Sequence, residues 1–305
     1  MIATTDYERL REAVGLVDRS ARGKLRLTGA EAADYLQGQV TNDVLALEPG
    51  TGLYAALLNH KGKMLTDMRV LRLADSLWVD TEPEALAVLA RNAAMYSIGR
   101  DVRHEDVTGG YAILSLIGPG AREALDVAPP EIEHASVEGE HGVYVATDLG
   151  VDVICAVAHA AAVRAALGVE EVDEEAAECL RIESGRPRFL FDVGTDTIPQ
   201  EAGLNDRAVS FTKGCYVGQE TVARLHYKGK PNRHLRGLKL SEPVAHGDEI
   251  RHGERVVGQI GSAAVSPVHG PIALAVIRRE AEPGAAVKVG EAAVDGEVAE
   301  LPFAG

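Results

Sequence analysis

After Gly237 the sequence breaks into short β-type runs: Gly237-Leu238-Lys239-Leu240, Arg255-Val256-Val257-Gly258-Gln259-Ile260, the stretch 272–277, and Val287-Lys288-Val289. Each is set off by Gly, Pro or Asp. Strands this short leave both edges unpaired unless they close on one another, so this part of the chain is confined to a small barrel or sandwich. The preceding region reads differently. Helical and strand patterns alternate there up to Lys228-Gly229-Lys230-Pro231-Asn232, a plausible linker. At 305 residues the chain exceeds one ordinary core. The expectation is an α+β region over 1–230, followed by a β-domain over 231–305.

Within the first region, residues 7–14 read as a short helix and Lys24-Leu25-Arg26-Leu27 as a half-exposed strand. Thr28 then offers an N-cap for a helix through Ala33, Leu36 and Val40. Residues 54–59 and 64–70 form two strands around the turn His60-Lys61-Gly62-Lys63. That hairpin sets Asp67 in or beside a sheet, where a carboxylate is out of character unless exposed or paired. Taken alone, Asp67 reads as a surface residue, because Asp is seldom fully buried. Thr81-Glu82-Pro83-Glu84 reads as a capping box that starts a helix through Leu86, Leu89, Ala90 and Ala93. The strand 113–117 runs into Gly118-Pro119-Gly120 but has Glu123 in place of the third glycine of a dinucleotide fold, so it reads as a turn. Residues 151–157 form a strand and 159–167 a helix ending near Gly168. Asp173 caps a further helix through Glu183, closed by Gly185.

Charge argues against one class of partner. Lys and Arg number 31 against 46 Asp and Glu, and the resulting −15 repels nucleic acid. The imbalance is uneven, with an acidic stretch over 170–178 and a basic one, Arg224, Lys228, Lys230, Arg233, Arg236 and Lys239, gathered just after residues 213–220. No apolar run is long enough to cross a bilayer, and Met1-Ile2-Ala3-Thr4-Thr5-Asp6 lacks the features of a secretory signal, so a cytoplasmic location and no membrane partner are expected. Cys155, Cys179 and Cys215 are too far apart for a disulfide framework or a four-cysteine cluster, and no resident metal is expected. Cys179, inside a helical pattern, reads as core packing.

The densest chemistry lies in Lys213-Gly214-Cys215-Tyr216-Val217-Gly218-Gln219-Glu220. Two glycines permit tight turns, and a short helix opening near Val217 would aim its free N–H groups at the thiol. Lys213 would lower the thiol pKa further if both side chains lie on one side. By position alone, Cys215 also suits a small buried hydrophobe.

The octapeptide resembles the signature of the YgfZ-type folate-binding proteins, which serve iron–sulfur enzymes and are related to the glycine-cleavage aminomethyltransferase (T-protein). Similar segments recur along the chain: residues 23–29, Gln39-Val40-Thr41-Asn42-Asp43-Val44, 181–187, 198–204 and Leu301-Pro302-Phe303. The resemblance implies a ferredoxin-like folate-binding region of two interleaved α+β subdomains, in a ring-like three-domain arrangement with a C-terminal β-barrel. It also implies tetrahydrofolate as cofactor. Glu183 matches the glutamate that binds the pterin ring in the aminomethyltransferases, and Tyr216, Gln219, Glu220 and Arg224 are the accompanying ligand-binding candidates. Paired hydrogen bonds from pterin N–H groups suit a carboxylate. The basic run around Arg224 and Lys230 would then receive the glutamates of folate.

Two functions follow from the resemblance. In the first, the protein binds tetrahydrofolate and assists maturation or repair of iron–sulfur enzymes, partnered by those enzymes or by cluster-assembly proteins. Cys215 is then the working thiol, with Lys213 beside it. In the second, the protein is a folate-dependent aminomethyltransferase that takes its group from a lipoyl carrier protein. Relatives of that kind carry paired aspartates, one of them catalytic, where this chain has Thr66-Asp67. They also carry a phenylalanine-containing Gly-Arg-Glu version of the octapeptide, a departure that favours the first function.

Overall fold

The computed structural model describes residues 4–304. Its helices are α1 (Thr4–Glu12), α2 (Ala32–Gln39), α3 (Leu86–Tyr96), α4 (Ala160–Leu167), α5 (Glu174–Glu183), α6 (Asn205–Ala208) and α7 (Gln219–Lys228). Interspersed with them are β1 (Gly15–Asp18), β2 (Gly23–Thr28), β3 (Thr51–Leu58), β4 (Met64–Arg72), β5 (Leu77–Thr81), β6 (Arg103–Asp106), β7 (Tyr111–Ile117), β8 (Ser136–Gly139), β9 (Gly142–Ala146) and β10 (Gly150–Ala156). The chain then turns wholly to strands: β11 (Arg233–Leu240), β12 (Glu249–His252), β13 (Arg255–Gln259), β14 (Ala263–Ser266), β15 (Gly270–Arg278), β16 (Ala286–Val289) and β17 (Val294–Ala299). Two compact units result. The larger comprises Glu8–Glu174 and Asp206–Gln219, and the other described residues make up the smaller.

The larger unit holds two five-stranded sheets, ordered β3-β4-β5-β2-β6 and β1-β7-β10-β9-β8, with every neighbouring pair antiparallel. Side chains alternate across each strand, so both faces of a sheet need cover. Met68 and Val70 meet α2 and α3 through Tyr35, Leu36 and Leu89, whereas Leu71 and Trp78 turn the other way, onto Ile113, Val145 and Ile154 of the second sheet. Val163 of α4 closes that sheet's outer face over Leu114 and Val153. Each such aliphatic side chain contributes about 1.5–3 kcal/mol on burial.

Charges are buried between these sheets, in pairs. Arg69 donates to Asp80 at 2.7 Å and to Asp152 at 2.6 Å, Ser115 holds the other Asp152 oxygen at 2.6 Å, and Arg22 reaches Asp80 at 2.9 Å. Removing one partner would strand the others without compensation.

The smaller unit is built on a seven-stranded antiparallel sheet ordered β13-β12-β16-β17-β11-β15-β14. The sheet curls until β13 returns to β15: a Cβ added at Gly258 would lie 2.9 Å from the Val276 carbonyl oxygen. Leu238, Ile250, Val257, Ala275 and Val298 fill the inside of the curl, and Ile182 of α5 packs outside it with Leu235, Leu274 and Phe303. This half-barrel is the closure expected of such short strands.

Three boundary expectations need correction. Thr28 ends β2 rather than capping α2, whose N-cap position is Glu31 with no side-chain cap bond; the chain first turns at Gly29, with φ 107°. Thr81 likewise ends β5, and its hydroxyl is spent on the Asp67 carbonyl at 2.6 Å. The helix after the octapeptide begins at Gln219, since Val217 and Gly218 are used in a turn. Among the described residues no helix is long and apolar enough to cross a membrane.

Candidate functional site

Asp67 is not a surface carboxylate. It lies on β4 opposite Ala56, with Tyr54 two residues along the same face of β3, and it is only 5 % exposed. That diagonal brings the Tyr54 hydroxyl to Asp67 Oδ2, to which it donates at 2.6 Å. Burial pushes the Asp67 carboxyl up to about 6, against the opposing pull of the Tyr54 hydrogen bond and the Arg22 charge. Such a group is poised for proton exchange near neutrality. The Thr66 and Thr81 hydroxyls both donate to the Asp67 carbonyl and lie 2.9 Å apart, which fixes the backbone beneath it.

Tyr54 is held in turn. The Arg207 guanidinium sits over its ring at 5.0 Å, and the His134 ring stacks on it at 6.4 Å and 20°. Burial, with Arg69 and Arg207 adding like charge, brings His134 down to about 4, so the ring is neutral at physiological pH. None of Tyr54, Arg22, His134 and Arg207 is marked by a local motif. They converge through strand register and long-range folding, and the only sequence signal for any of them is Tyr54's position on the strand that pairs with Asp67.

The octapeptide loop belongs to the same unit. Lys213 is buried, 8 % exposed, and its ammonium donates to the carbonyls of Gln37, Val40 and Asn42 at 2.6, 2.8 and 2.8 Å. These are carbonyls at and just beyond the C-terminus of α2, which have no partners within the helix and sit at the negative end of its dipole. Lys213 thus serves as the cap of α2. Burial pushes it down to about 8, Asp43 acting in the other direction. The ammonium also lies 5.1 Å from the Tyr216 ring centroid; Tyr216 itself is buried, which raises its phenol to about 12.

The two glycines differ. Gly218 has φ 84°, and a Cβ there would fall 2.6 Å from the Asn59 carbonyl oxygen, so only glycine fits. Gly214 faces open space. Between these anchors Cys215 is exposed, whereas Cys155 and Cys179 are buried.

Asn42 ties the loop to the carboxylate. Its carbonyl accepts from Lys213, and its side-chain amide donates to the Tyr54 carbonyl at 2.9 Å and the Arg207 carbonyl at 3.1 Å. Asp67, Lys213 and Cys215 therefore share one framework in the larger unit.

In the smaller unit, Glu183 ends α5 with its carboxylate oriented by three donors. Among the described residues, Oε1 accepts from Tyr7 at 2.8 Å, Ser266 at 2.5 Å and the Cys179 thiol at 3.6 Å, while Oε2 accepts only the longer 3.0 Å contact from Tyr7. Ser266 is itself fixed by the N–H groups of Val268 and His269. Buried against Glu183, the Cys179 thiol is pushed up to about 12. The arrangement fits a pterin: the carboxylate is locked in place and Oε2 keeps lone pairs for ligand N–H groups. Along α7, Gln219 is half-buried, and the exposed Glu220 and Arg224 line a 530 Å³ cleft with Lys228.

Comparison with known proteins shows what family and fold the chain is similar to. Residues 2–137 match the GCVT N-terminal domain model, and residues 233–304 match the glycine cleavage T-protein C-terminal barrel domain model. The probable aminomethyltransferase of Natronomonas pharaonis is 31% identical over 98% of this chain and 90% of its own length. The aminomethyltransferase of Saccharopolyspora erythraea is 29% identical over 98% and 89%. Among solved structures, the glycine cleavage system aminomethyltransferase T of Bartonella henselae superposes with a TM-score of 0.88 at 23% identity, over 98% of this chain and 89% of that one.

Proposed function

The chain belongs to the glycine cleavage T-protein family of aminomethyltransferases, and from that premise we propose that it binds tetrahydrofolate and acts on a one-carbon unit that this cofactor accepts. The observation that carries the reading is Asp67: a buried carboxylate, hydrogen-bonded by Tyr54, at the position that the sequence resemblance pairs with the catalytic aspartates of the aminomethyltransferases. Ionised at neutral pH, it accepts a hydrogen bond from the ammonium of an aminomethyl donor and holds it for transfer. Glu183 orients the pterin through Oε2 while Tyr7, Ser266 and Cys179 hold Oε1. The names of the relatives favour transfer of an aminomethyl group, with a lipoyl carrier protein as the donor that the family resemblance implies.

A second reading is favoured by a different observation. Cys215 stands exposed on a loop whose flanks are rigidly anchored, an arrangement suited to presenting a thiol. This supports the YgfZ-type role, a folate-binding protein in the upkeep of iron–sulfur enzymes. Under it, the cytoplasmic location and the client enzymes or assembly proteins expected from sequence are part of the proposal. One measurement tests the folate binding that both readings share, and two separate them. Tetrahydrofolate titrated into wild type and Glu183→Ala tests folate binding, with heat for wild type and a loss of at least tenfold in affinity for the variant expected. Turnover with an aminomethylated lipoyl carrier supports transfer. Restoration of a cluster-dependent enzyme in cells lacking the gene by wild type but not by Cys215→Ala, at equal protein levels, supports the second role, and equal rescue by both defeats it.

A further inference from the structure

α3 and the turn after it leave an apolar face in water. Leu89 and Ala93 are buried in the core shared with α2, whereas Val88, Met95 and Tyr96 are exposed, and Ile98, in the turn, is 81 % exposed. Val88, Arg91 and Met95 recur at intervals of three and four residues along one side of the helix, and Ile98 stands three residues further on. The exposed Ala87 and Ala94 leave hollows between these larger side chains. Large apolar groups gathered in water mark a surface that another molecule covers. The turn that carries Ile98 is fixed: the Arg100 N–H donates to the Ser97 carbonyl at 3.0 Å, the Asp101 N–H to Glu31 at 2.7 Å, and the Ala30 N–H to the Asp101 carboxylate at 3.0 Å. Binding there costs little ordering.

Three arginines run through and beside this face. Arg91, Arg100 and Arg103 are all exposed, and none meets a carboxylate at ion-pairing distance among the described residues. Carboxylates beside them are engaged elsewhere: Glu31 and Asp101 with main-chain N–H groups, Glu105 with Arg26 at 2.6 Å, and Asp106 with the Thr108 N–H at 2.9 Å. In a chain of net charge −15 this is a local reversal of sign. We propose that the outer face of α3 docks an amphipathic helix of a partner protein, one whose apolar stripe is flanked by Asp and Glu. Large and small side chains at helical spacing receive the ridges of another helix, and forked guanidinium groups complement its carboxylates. A second copy of this chain is the poorer occupant. Arg91 is the central residue of α3, so a two-fold pairing of this face would set the two copies' Arg91 side chains against each other. An anionic membrane would meet the acidic remainder of the surface. The surface serves either reading of the function and depends on neither.

The probe is a designed amphipathic helical peptide with a leucine stripe, made with glutamate along both flanks or with lysine there, and its fluorescence anisotropy is read against the full-length protein. Wild type is expected to bind the glutamate peptide with a Kd on the order of tens of micromolar, as suits a contact about 16 Å long, and the lysine peptide at least about tenfold more weakly. M95S/I98S, two exposed positions, is expected to weaken binding about tenfold with the melting temperature unchanged, whereas Ile132→Ser, exposed elsewhere, should weaken it not at all. Arg91→Glu is expected to turn the preference toward the lysine peptide. Failure of the glutamate peptide to bind, equal binding of both peptides, or an affinity that M95S/I98S leaves intact would each overturn the proposal. Self-association of wild type in sedimentation equilibrium, lost in M95S/I98S, would put a second copy on this face instead. Flotation with phosphatidylserine vesicles, lost in the same variant, would put a membrane there. Either result overturns the helical partner.

Discussion

The Lys213 ammonium lies 2.8 Å from the Asn42 carbonyl oxygen, across 171 residues of sequence, and the same asparagine's side chain holds the main chain of Tyr54. One residue therefore couples the loop that presents Cys215 to the strand that positions Asp67. The lysine two places from the thiol spends its three donors on the scaffold, at the end of α2.

Lys213→Met is accordingly expected to destabilise the protein by roughly 2–4 kcal/mol, because it leaves three carbonyls at the end of α2 without their charged donor. Lys213→Arg should not rescue it, since a planar fork does not reproduce three convergent bonds from one nitrogen. Urea unfolding read at the midpoint checks both. A midpoint that barely moves in the methionine variant would show that water replaces the lysine at no cost.

Asp67 makes stability depend on pH with a definite sign. Its folded pKa is raised from 3.8 to about 6, so the folded state binds the proton more tightly than the unfolded chain. Stability from this group is full below pH 3.8 and is lost as pH rises through about 6, by roughly 2–3 kcal/mol in all. Asp67→Asn should flatten that slope between about pH 4 and 7. The same carboxyl should set the acid limb of any turnover, rising through about pH 6, and Tyr54→Phe should move that limb to higher pH because the tyrosine hydrogen bond favours the charged form. Parallel slopes for wild type and Asp67→Asn would remove Asp67 as their source.

Much of this architecture is legible in the amino-acid sequence. The short punctuated runs after Gly237 signal a closed β-domain because strands of that length have no other way to cover both faces, and the hairpin around Gly62 places Asp67 on a strand. What escapes a local reading is set by distant parts of the chain. Composition alone makes Asp67 a surface residue; its burial follows from the second sheet packed on the first and from Tyr54 across the register. Thr28 and Thr81 resemble caps because Ser and Thr favour them, yet strand pairing claims both. Lys213 reads as a partner for its neighbour Cys215, whereas the unpaired carbonyls at the end of α2 compete for it more strongly.

The two glycines of the octapeptide should respond in opposite ways. Gly218→Ala forces a left-handed backbone on a residue with a Cβ and drives that atom into the Asn59 carbonyl, with an expected cost of at least about 1–2 kcal/mol and a loosened thiol loop. Gly214→Ala meets no neighbour and should leave the melting temperature within about a degree of wild type. Thermal unfolding of the pair is decisive, because equal effects would mean that the φ of Gly218 is not what the fold requires.

The cysteines should separate by reactivity in the native protein. Cys215 is exposed on its loop, Cys179 is 0 % exposed with its thiol raised to about 12 by burial and by Glu183, and Cys155 is buried and raised by the same desolvation. Because the thiolate is the nucleophile, iodoacetamide near pH 8 should label Cys215 at least about a hundredfold faster than Cys179. Peptide mass spectrometry over a time course reads each site separately. Under the second of the proposed readings, protein labelled only at Cys215 is then expected to keep its affinity for tetrahydrofolate, since Glu183 is untouched, and to fail in restoring a cluster-dependent enzyme. Labelled protein that restores the enzyme in full would leave the thiol without a function and rest the activity on Asp67.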